Sequence, residues 1–229
     1  MDIRRRDLLI TPSVLLAAPA PARPRLYFSS AIVAGLKAKA ATDARFRQDW
    51  EKLLERARRL LDSELVPEDV AERGGGQHAN YGQPSNQISS MGLALGLAYH
   101  MTGEKQFAEK LRQTMLAYAG YKRWFGQGLN DRVPPWHSEL NTARFLYGYG
   151  AGYDAIHDFL TPADRKTIAG GMVRLGILPT LEDWVLPETR IHALDSMGHN
   201  WWSVCVSMAG VAALALIGDD ERAADWVDR

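Results

Sequence analysis

The sequence is poor in cysteine. Cys205 is the only thiol among 229 residues, so no disulfide can form within the chain and packing must stabilise its fold. Basic and acidic side chains balance at 27 each, which removes the basic excess expected of a general nucleic-acid binder. We therefore expect no nucleic-acid partner, although the overall balance of charge leaves room for a local basic cleft.

Motifs for metals, phosphates and cofactors are also missing. The six histidines are scattered and lack the paired spacing of a metal site. The glycine run at residues 74–76 does not match a phosphate-binding loop, and no serine lies in a nucleophile elbow. The sequence predicts no metal and no cofactor.

The N-terminal apolar run is too short to span a bilayer. Residues 1–22 start with arginines, continue with an apolar stretch broken by a Thr-Pro-Ser step, and end in small residues. This order is typical of an export signal, and the RRDLL string at residues 5–9 resembles the twin-arginine type. Removal of this segment leaves 24 basic and 25 acidic side chains. We predict a periplasmic or secreted protein with no membrane partner in its mature form.

Residues 23–229 are expected to form one domain. The spacing of apolar residues predicts helices over residues 30–41 and 43–63. Glycine and proline interrupt the pattern over residues 66–87, which predicts a long loop.

A repeat then indicates the fold class. Three apolar helices, at residues 91–101, 142–160 and 201–217, each lead through a turn into a charged helix. The turns at Thr102, Thr161 and Gly218 lie 59 and 57 residues apart. Thr161 is predicted to cap its helix, with a proline in the first turn. Such a period is typical of stacked helical hairpins, so the predicted fold class is all-α.

The long connections are expected at one end of this array, which we call the rim. The turns within hairpins are short, whereas the connections at residues 66–87, 120–136 and 178–198 are long. Each hairpin returns the chain to its starting side, so the long connections meet. This concentration makes the rim the candidate site. Its polar and aromatic residues are Gln77, His78, Tyr81, Gln83, Trp124, Phe125, Trp136, His137, Trp184, His192 and His199.

The strongest candidate stretch lies where the rim enters the third apolar helix. His199 can carry a proton, and Asn200 offers a neutral hydrogen-bond donor. Trp201 and Trp202 point about 100° apart on a helix, so at least one is expected to face the rim, where a sugar can stack on it. The structural alternative is that Asn200 caps the helix and the tryptophans cover the hydrophobic end of the array.

A second candidate set precedes the helix at residues 142–160. Trp136, His137 and Glu139 could contact a polar ligand, and the guanidinium of Arg144 suits a carboxylate or sulfate. The structural alternative is that His137 or Ser138 caps the helix while Glu139 favours its first turn. The first long connection adds Tyr81 and Gln83 to the predicted substrate-binding residues.

The chain resembles the helical domain of heparinase II/III-like polysaccharide lyases, a group that includes alginate and oligoalginate lyases. The resemblance rests on PRLYF at residues 24–28, LKAKA at residues 36–40, the hairpin period, Tyr153-Asp154 before a Leu-Thr-Pro string, and His-Asn-Trp at residues 199–201. It implies an incomplete (α/α) toroid with a glycan cleft across one rim, followed by a β-sandwich.

The resemblance also implies a reaction, the β-elimination of uronic-acid-containing polysaccharides. Asn200 matches the asparagine that neutralises the substrate carboxylate, and His199 resembles the histidine that assists. A tyrosine serves as base and then acid in the family. That tyrosine is expected some tens of residues beyond Asn200, outside this sequence, as is the β-sandwich. We therefore expect the chain to be a fragment that lacks the full catalytic set.

Two alternatives remain open from the residues. A glycoside hydrolase on a similar helical scaffold would need two carboxylates, for which Glu139 and Asp195 are the candidates at the rim. A non-catalytic helical module could bind glycans through the rim tryptophans alone.

Overall fold

The structure is a computed structural model that describes residues 22–73, 81–186 and 200–229. Across these residues the regular elements are helical and no strand occurs, which confirms the all-α prediction. None of these helices combines the length and the apolar character that a membrane span requires. The helices are α1 (Ser30–Thr42), α2 (Ala44–Leu61), α3 (Glu68–Glu72), α4 (Gly82–Thr102), α5 (Lys105–Ala119), α6 (Leu140–Ile156), α7 (Pro162–Met172), α8 (Leu178–Trp184), α9 (Asn200–Leu216) and α10 (Ala223–Asp228).

The helices pack as two layers of hairpins. α4 packs on α6, and α6 packs on α9, so these three apolar helices form an inner row. α5 and α7 pack behind them and against each other, while α2 lies on α4 and α10 lies on α9. Leu95, Tyr149 and Leu216 of the inner row are fully buried in one continuous core. The predicted hairpin plan is therefore present, because each hairpin covers the apolar face of its neighbour.

The three inner helices run parallel. Ser85 in the first turn of α4 donates a hydrogen bond to Asn141 in the first turn of α6 (3.1 Å), and His100 near the end of α4 lies 2.7 Å from the Ala155 carbonyl oxygen near the end of α6. Gly150 in the second half of α6 likewise faces Ala212 in the second half of α9. The N-termini of all three helices thus lie at the rim.

The turn before α7 has the capping chemistry that the sequence predicts. Thr161 Oγ1 accepts a hydrogen bond from the Asp164 amide (3.1 Å), and the Asp164 carboxylate accepts one from the Thr161 amide (3.1 Å). Pro162 occupies the first turn of α7, where no intrahelical amide donor is needed. The predicted N-cap at Thr161 is confirmed.

Two of the predicted long loops are shorter than expected. α3 and the start of α4 occupy part of residues 66–87, because Pro84 lies in the first turn of α4, where a missing amide costs no hydrogen bond. α7 continues through a π-helical segment, Val173–Ile177, into α8, so residues 178–184 are helical. Pro179 is tolerated there because it follows the π-helical segment, in which the regular hydrogen-bond ladder is already interrupted.

The opening segment at residues 24–28 is anchored at the end opposite the rim. Asp154 of α6 is 1% exposed, and its Oδ2 accepts hydrogen bonds from the amides of Arg25 (2.9 Å) and Leu26 (2.8 Å). Arg23 lies 3.4 Å from Asp154 Oδ1 and 2.5 Å from Asp219 Oδ2 beyond α9. Two of the strings that carry the family resemblance therefore contact each other and hold the chain start against the inner helices.

Candidate functional site

The rim collects the positive ends of three parallel helix dipoles. The first turns of α4, α6 and α9, with their backbone amides, all lie at this end. Partial positive charge at a helix N-terminus favours a carboxylate or another anion. The side chains around these first turns decide what the rim can bind.

Glu139 is the N-cap of α6. The Glu139 side chain accepts from the Thr142 amide, while Thr142 Oγ1 accepts from the Glu139 amide (3.1 Å), which makes a reciprocal capping box. Glu139 thus caps the helix itself, whereas the structural reading of the sequence assigned the cap to His137 or Ser138. Glu139 is fully buried, and burial raises its pKa from 4.5 to about 7, although Asn141 and Arg144 act against this rise. At neutral pH its protonated and ionised forms coexist.

Asn141 connects the first turns of α4 and α6. Its Oδ1 accepts hydrogen bonds from Ser85 Oγ (3.1 Å) and from the Arg144 guanidinium (2.7 Å). Asn141 and Ser85 are buried, whereas Arg144 is exposed. The buried side chain of Asn141 therefore holds the Arg144 guanidinium at the rim.

A second buried carboxylate, Asp183 of α8, holds the segment that leads into α6. Asp183 Oδ2 accepts hydrogen bonds from the amides of His137 (2.8 Å) and Ser138 (2.7 Å) and from Ser138 Oγ (2.8 Å). Trp184 Nε1 donates to the same Ser138 Oγ (2.8 Å). Burial raises the pKa of Asp183, and the hydrogen bonds from Ser138 and His137 oppose that shift. Asp183 and Trp184 of α8 therefore both hold the segment that precedes α6.

The two carboxylates share a neighbourhood. Burial raises the pKa of the Cys205 thiol, and the charges of Glu139 and Asp183 raise it further. Cys205 lies on α9 and packs with Ala143 of α6 and Trp184 of α8. The three elements that form this side of the rim therefore converge on one buried point.

Trp136, Trp184 and Trp201 pack against each other, whereas Trp124 is fully buried against Phe145 and Tyr149. Trp136 is 8% exposed, contacts Trp184 and Trp201 edge to face at 6.1 and 5.9 Å between ring centroids, and carries the Arg132 guanidinium 4.2 Å above its ring. Trp184 is fully buried. Trp201 and Trp202 remain partly exposed, and Trp202 Nε1 donates to the Trp184 carbonyl oxygen (3.2 Å). Aromatic surface open to a ligand is therefore found on Trp201 and Trp202.

The remaining predicted site residues separate into three groups. Asn200 is exposed as the first residue of α9, and Gln83 is exposed in the first turn of α4. Tyr81 is fully buried, with its hydroxyl 3.1 Å from Glu68 and 3.2 Å from Glu72, so its ring offers no surface to a ligand. His199 and Asp195 lie outside the described residues, as do the predicted rim residues Gln77, His78 and His192 and the predicted export signal up to residue 21.

All eight tyrosines lie within the described residues, and none is exposed. Tyr149 and Tyr153 share a face of α6 and are fully buried, so both belong to the core. Burial raises the pKa of Tyr81, Tyr121 and Tyr153, which is the opposite of what a tyrosinate base requires. As placed here, these tyrosines do not supply a base at the rim.

Sequence reasoning missed Asp183 and Asn141 as site residues. Asp183 falls in the stretch that was predicted to be a loop, so its helical position was not evident. Leu178, Leu181 and Val185 at spacings of three and four residues are the signal that could have revealed the helix. Asn141 gave no signal of its own, because its role depends on contact with another helix.

Comparisons with known proteins add no assignment. The described residues hold no group of three metal-ligating side chains. No protein-family model matches the chain, and no curated protein matches it.

Proposed function

We propose that this protein cleaves uronic-acid-containing polysaccharides by β-elimination, with Asn200 bound to the substrate carboxylate. The observation that carries the proposal is the position of Asn200, exposed in the first turn of α9 and followed by the partly exposed Trp201 and Trp202. A carboxylate at this point would meet the positive end of the α9 dipole and the Asn200 amide.

The chemistry requires this neutralisation because the C5 proton of a uronate is weakly acidic. A base removes that proton, the C5–H electrons form a C4=C5 double bond, and the C4–O bond breaks as the leaving oxygen takes up a proton. Charge builds up on the carboxylate in the transition state, so hydrogen-bond donors already placed around it lower the barrier. His199 is proposed to assist Asn200. The residues proposed to contact the glycan are Trp201, Trp202, His137, Gln83 and Arg144.

The proposal extends to the fold and the location of the protein. We propose that the hairpin array is part of an incomplete (α/α) toroid and that residues 1–22 direct export by the twin-arginine route to the periplasm or beyond. The support for the toroid is the parallel inner row backed by α5 and α7. The support for export is the pattern of residues 1–22.

A glycoside hydrolase is the second candidate, and one observation favours it. Glu139 has its pKa raised to about 7, as a carboxyl that acts as general acid at neutral pH needs. Its complete burial argues against this role, since a buried cap of α6 cannot reach a glycosidic oxygen without leaving its hydrogen bonds. The lyase proposal is preferred because Asn200 is exposed.

Ultraviolet absorbance during incubation of the full-length natural protein with a panel of uronic-acid polysaccharides tests the proposal. We expect an absorbance rise from the unsaturated product, and we expect Asn200→Ala to lower kcat by about 10²–10³-fold, as loss of one charge-stabilising donor does elsewhere. Ser203→Ala, also exposed on α9, is the matched control. New reducing ends without an absorbance rise would instead support the hydrolase, and binding without turnover would support a glycan-binding module.

A further inference from the structure

His137 is held at the rim by Asp183. The His137 side chain is 41% exposed, while Asp183 is 4% exposed. His137 Nδ1 lies 3.5 Å from Asp183 Oδ1, and the His137 amide donates to the other carboxylate oxygen, Oδ2. One carboxylate therefore accepts a hydrogen bond from the backbone amide of His137 and lies beside a ring nitrogen of the same residue.

The two oxygens of Asp183 have different partners. Oδ2 accepts the amides of His137 and Ser138 and the Ser138 hydroxyl, all at 2.7–2.8 Å. These three donors hold the carboxylate plane in place and leave Oδ1 directed at the imidazole. A carboxylate beside Nδ1 favours the ring orientation and the tautomer in which Nδ1 carries a proton.

The π-helical segment Val173–Ile177 positions Asp183. One residue in excess of the regular α-helical turn rotates everything beyond it by roughly 100°, the angle per residue in an α-helix. In an uninterrupted helix from Pro162 to Trp184, Asp183 would point away from its present partners. Segments of this kind occur frequently at functional sites, and here the segment brings a carboxylate to an exposed histidine.

The His137 ring contacts Phe125 and Asp183 and is otherwise partly exposed. The ring packs edge-on against Phe125, with 6.3 Å between centroids and 81° between planes, and its Nδ1 edge faces Asp183. Nδ1 and Nε2 point in divergent directions from either side of Cε1, so a ring whose Nδ1 faces Asp183 does not direct Nε2 at the same carboxylate. His137 adjoins Trp136, whose ring contacts Trp201 of α9, so His137 and Asn200 border the same part of the rim.

We propose that His137 is the general acid that protonates the leaving glycosidic oxygen, with Asp183 as its positioning residue. This inference rests on the proposed β-elimination and gives the leaving-group step to a residue other than a tyrosine. The imidazolium Nε2–H donates its proton to the oxygen as the C4–O bond breaks, and the bond electrons remain on that oxygen. The C5 proton goes to a separate base, the C5–H electrons form the C4=C5 bond, and neutral His137 regains a proton from water.

The dependence of kcat on the leaving group distinguishes a general acid from a residue with a structural role. For the full-length natural protein, His137→Gln is expected to lower kcat on a uronic-acid polysaccharide by about 10²–10⁴-fold, the usual contribution of general acid catalysis. On a uronide with a 4-nitrophenyl leaving group at C4, which departs without protonation, the same variant is expected to keep kcat within a few-fold of wild type. The exposed side chain of His137 makes loss of the fold an unlikely confounder, which circular dichroism checks.

His157→Gln is the matched control. His157 also contacts a carboxylate, with Nε2 at 3.2 Å from Asp219, but it lies at the end opposite the rim. We expect its kcat to equal that of wild type on both substrates. An equal loss for His137→Gln on both substrates, or no loss on either, would overturn the acid role while leaving the β-elimination in place. If the wild-type protein forms no unsaturated product from either substrate, the proposed function fails and the acid role fails with it.

Asp183→Asn tests the positioning role. We expect a smaller loss of kcat than for His137→Gln, with the same dependence on the leaving group and little change in KM. Wild-type kcat in a folded Asp183→Asn protein would refute positioning by Asp183. Because Asp183 is buried and this variant can fail to fold, the His137 variant decides the proposal.

Discussion

At the scale of single residues, Glu139 shows how burial alters a carboxyl group. Its position as N-cap of α6 supplies a donor in the Thr142 amide, but burial removes the water that would solvate its charge. The pKa therefore rises from 4.5 to about 7. Since the folded state holds the proton more tightly than the unfolded state, the contribution of Glu139 to stability is largest at acidic pH and is lost as pH rises from about 4.5 to about 7.

Glu139→Gln should remove this pH dependence. A neutral amide of similar shape needs no desolvation of charge, so we expect the variant to match wild type at pH 4.5 and to exceed its free energy of unfolding at pH 8 by up to about 3 kcal/mol. Urea unfolding at the two pH values measures the difference. Glu51→Gln, at an exposed position of α2, is the control and should leave the profile unchanged. A variant less stable than wild type at pH 8 would contradict the assignment.

At the scale of elements, glycine sets the distance between the inner helices. A Cβ atom on Gly148 of α6 would lie 2.4 Å from the Ile88 carbonyl oxygen of α4, and one on Gly92 of α4 would lie 2.4 Å from the Gly148 carbonyl oxygen. Both contacts involve backbone, which cannot move aside without separating the helices. The close approach places Ser85 within hydrogen-bond distance of Asn141 at the rim.

Gly148→Ala is therefore expected to destabilise the protein by about 2–3 kcal/mol, the cost of overpacking a tight core contact. Chemical unfolding measures the change. Gly210→Ala on α9, where a Cβ would meet nothing within 4 Å, is the matched control and should gain up to about 1 kcal/mol from its higher helix propensity. Equal stabilities of the two variants would show that the α4–α6 contact is not tight.

At the scale of the whole molecule, Asp154 joins the start of the chain to the end of the helical array. It receives two backbone amides from the opening segment, and Arg23 links it to Asp219 beyond α9. This one buried carboxylate therefore connects segments that lie more than a hundred residues apart in the sequence.

Asp154→Ala should release the opening segment. Loss of a buried carboxylate that has a charged partner leaves amides and Arg23 without their acceptor, and we expect a cost of about 3 kcal/mol in the free energy of unfolding. Thermal unfolding measures the stability, and the rate of tryptic cleavage after Arg25 should rise. Asp158→Ala, with a side chain 84% exposed, is the control and should change neither quantity. Wild-type cleavage rates in Asp154→Ala would refute the anchoring role.

The sequence by itself determined the elements whose signals are local. The turns at Thr102, Thr161 and Gly218 fixed the hairpin period, and the cap at Thr161 followed from residues within one helical turn. The predicted helices over residues 30–41 and 43–63 agree with α1 and α2 to within two residues. The placement of the N-termini of α4, α6 and α9 at one end also follows from the sequence, because short turns alternate with long connections.

Only the tertiary structure decided the chemistry of the rim. The pKa of Glu139 depends on its burial in the folded protein, and Tyr81 and Trp136 are buried whereas Trp201 is partly exposed, although all three are aromatic residues of the rim. Asp183 reaches His137 across 46 residues because a π-helical segment changes the direction in which α8 presents it. The burial of a side chain and its contacts with residues far away in the sequence depend on the packing of several elements at once. The local sequence around any one of these residues therefore does not predict them.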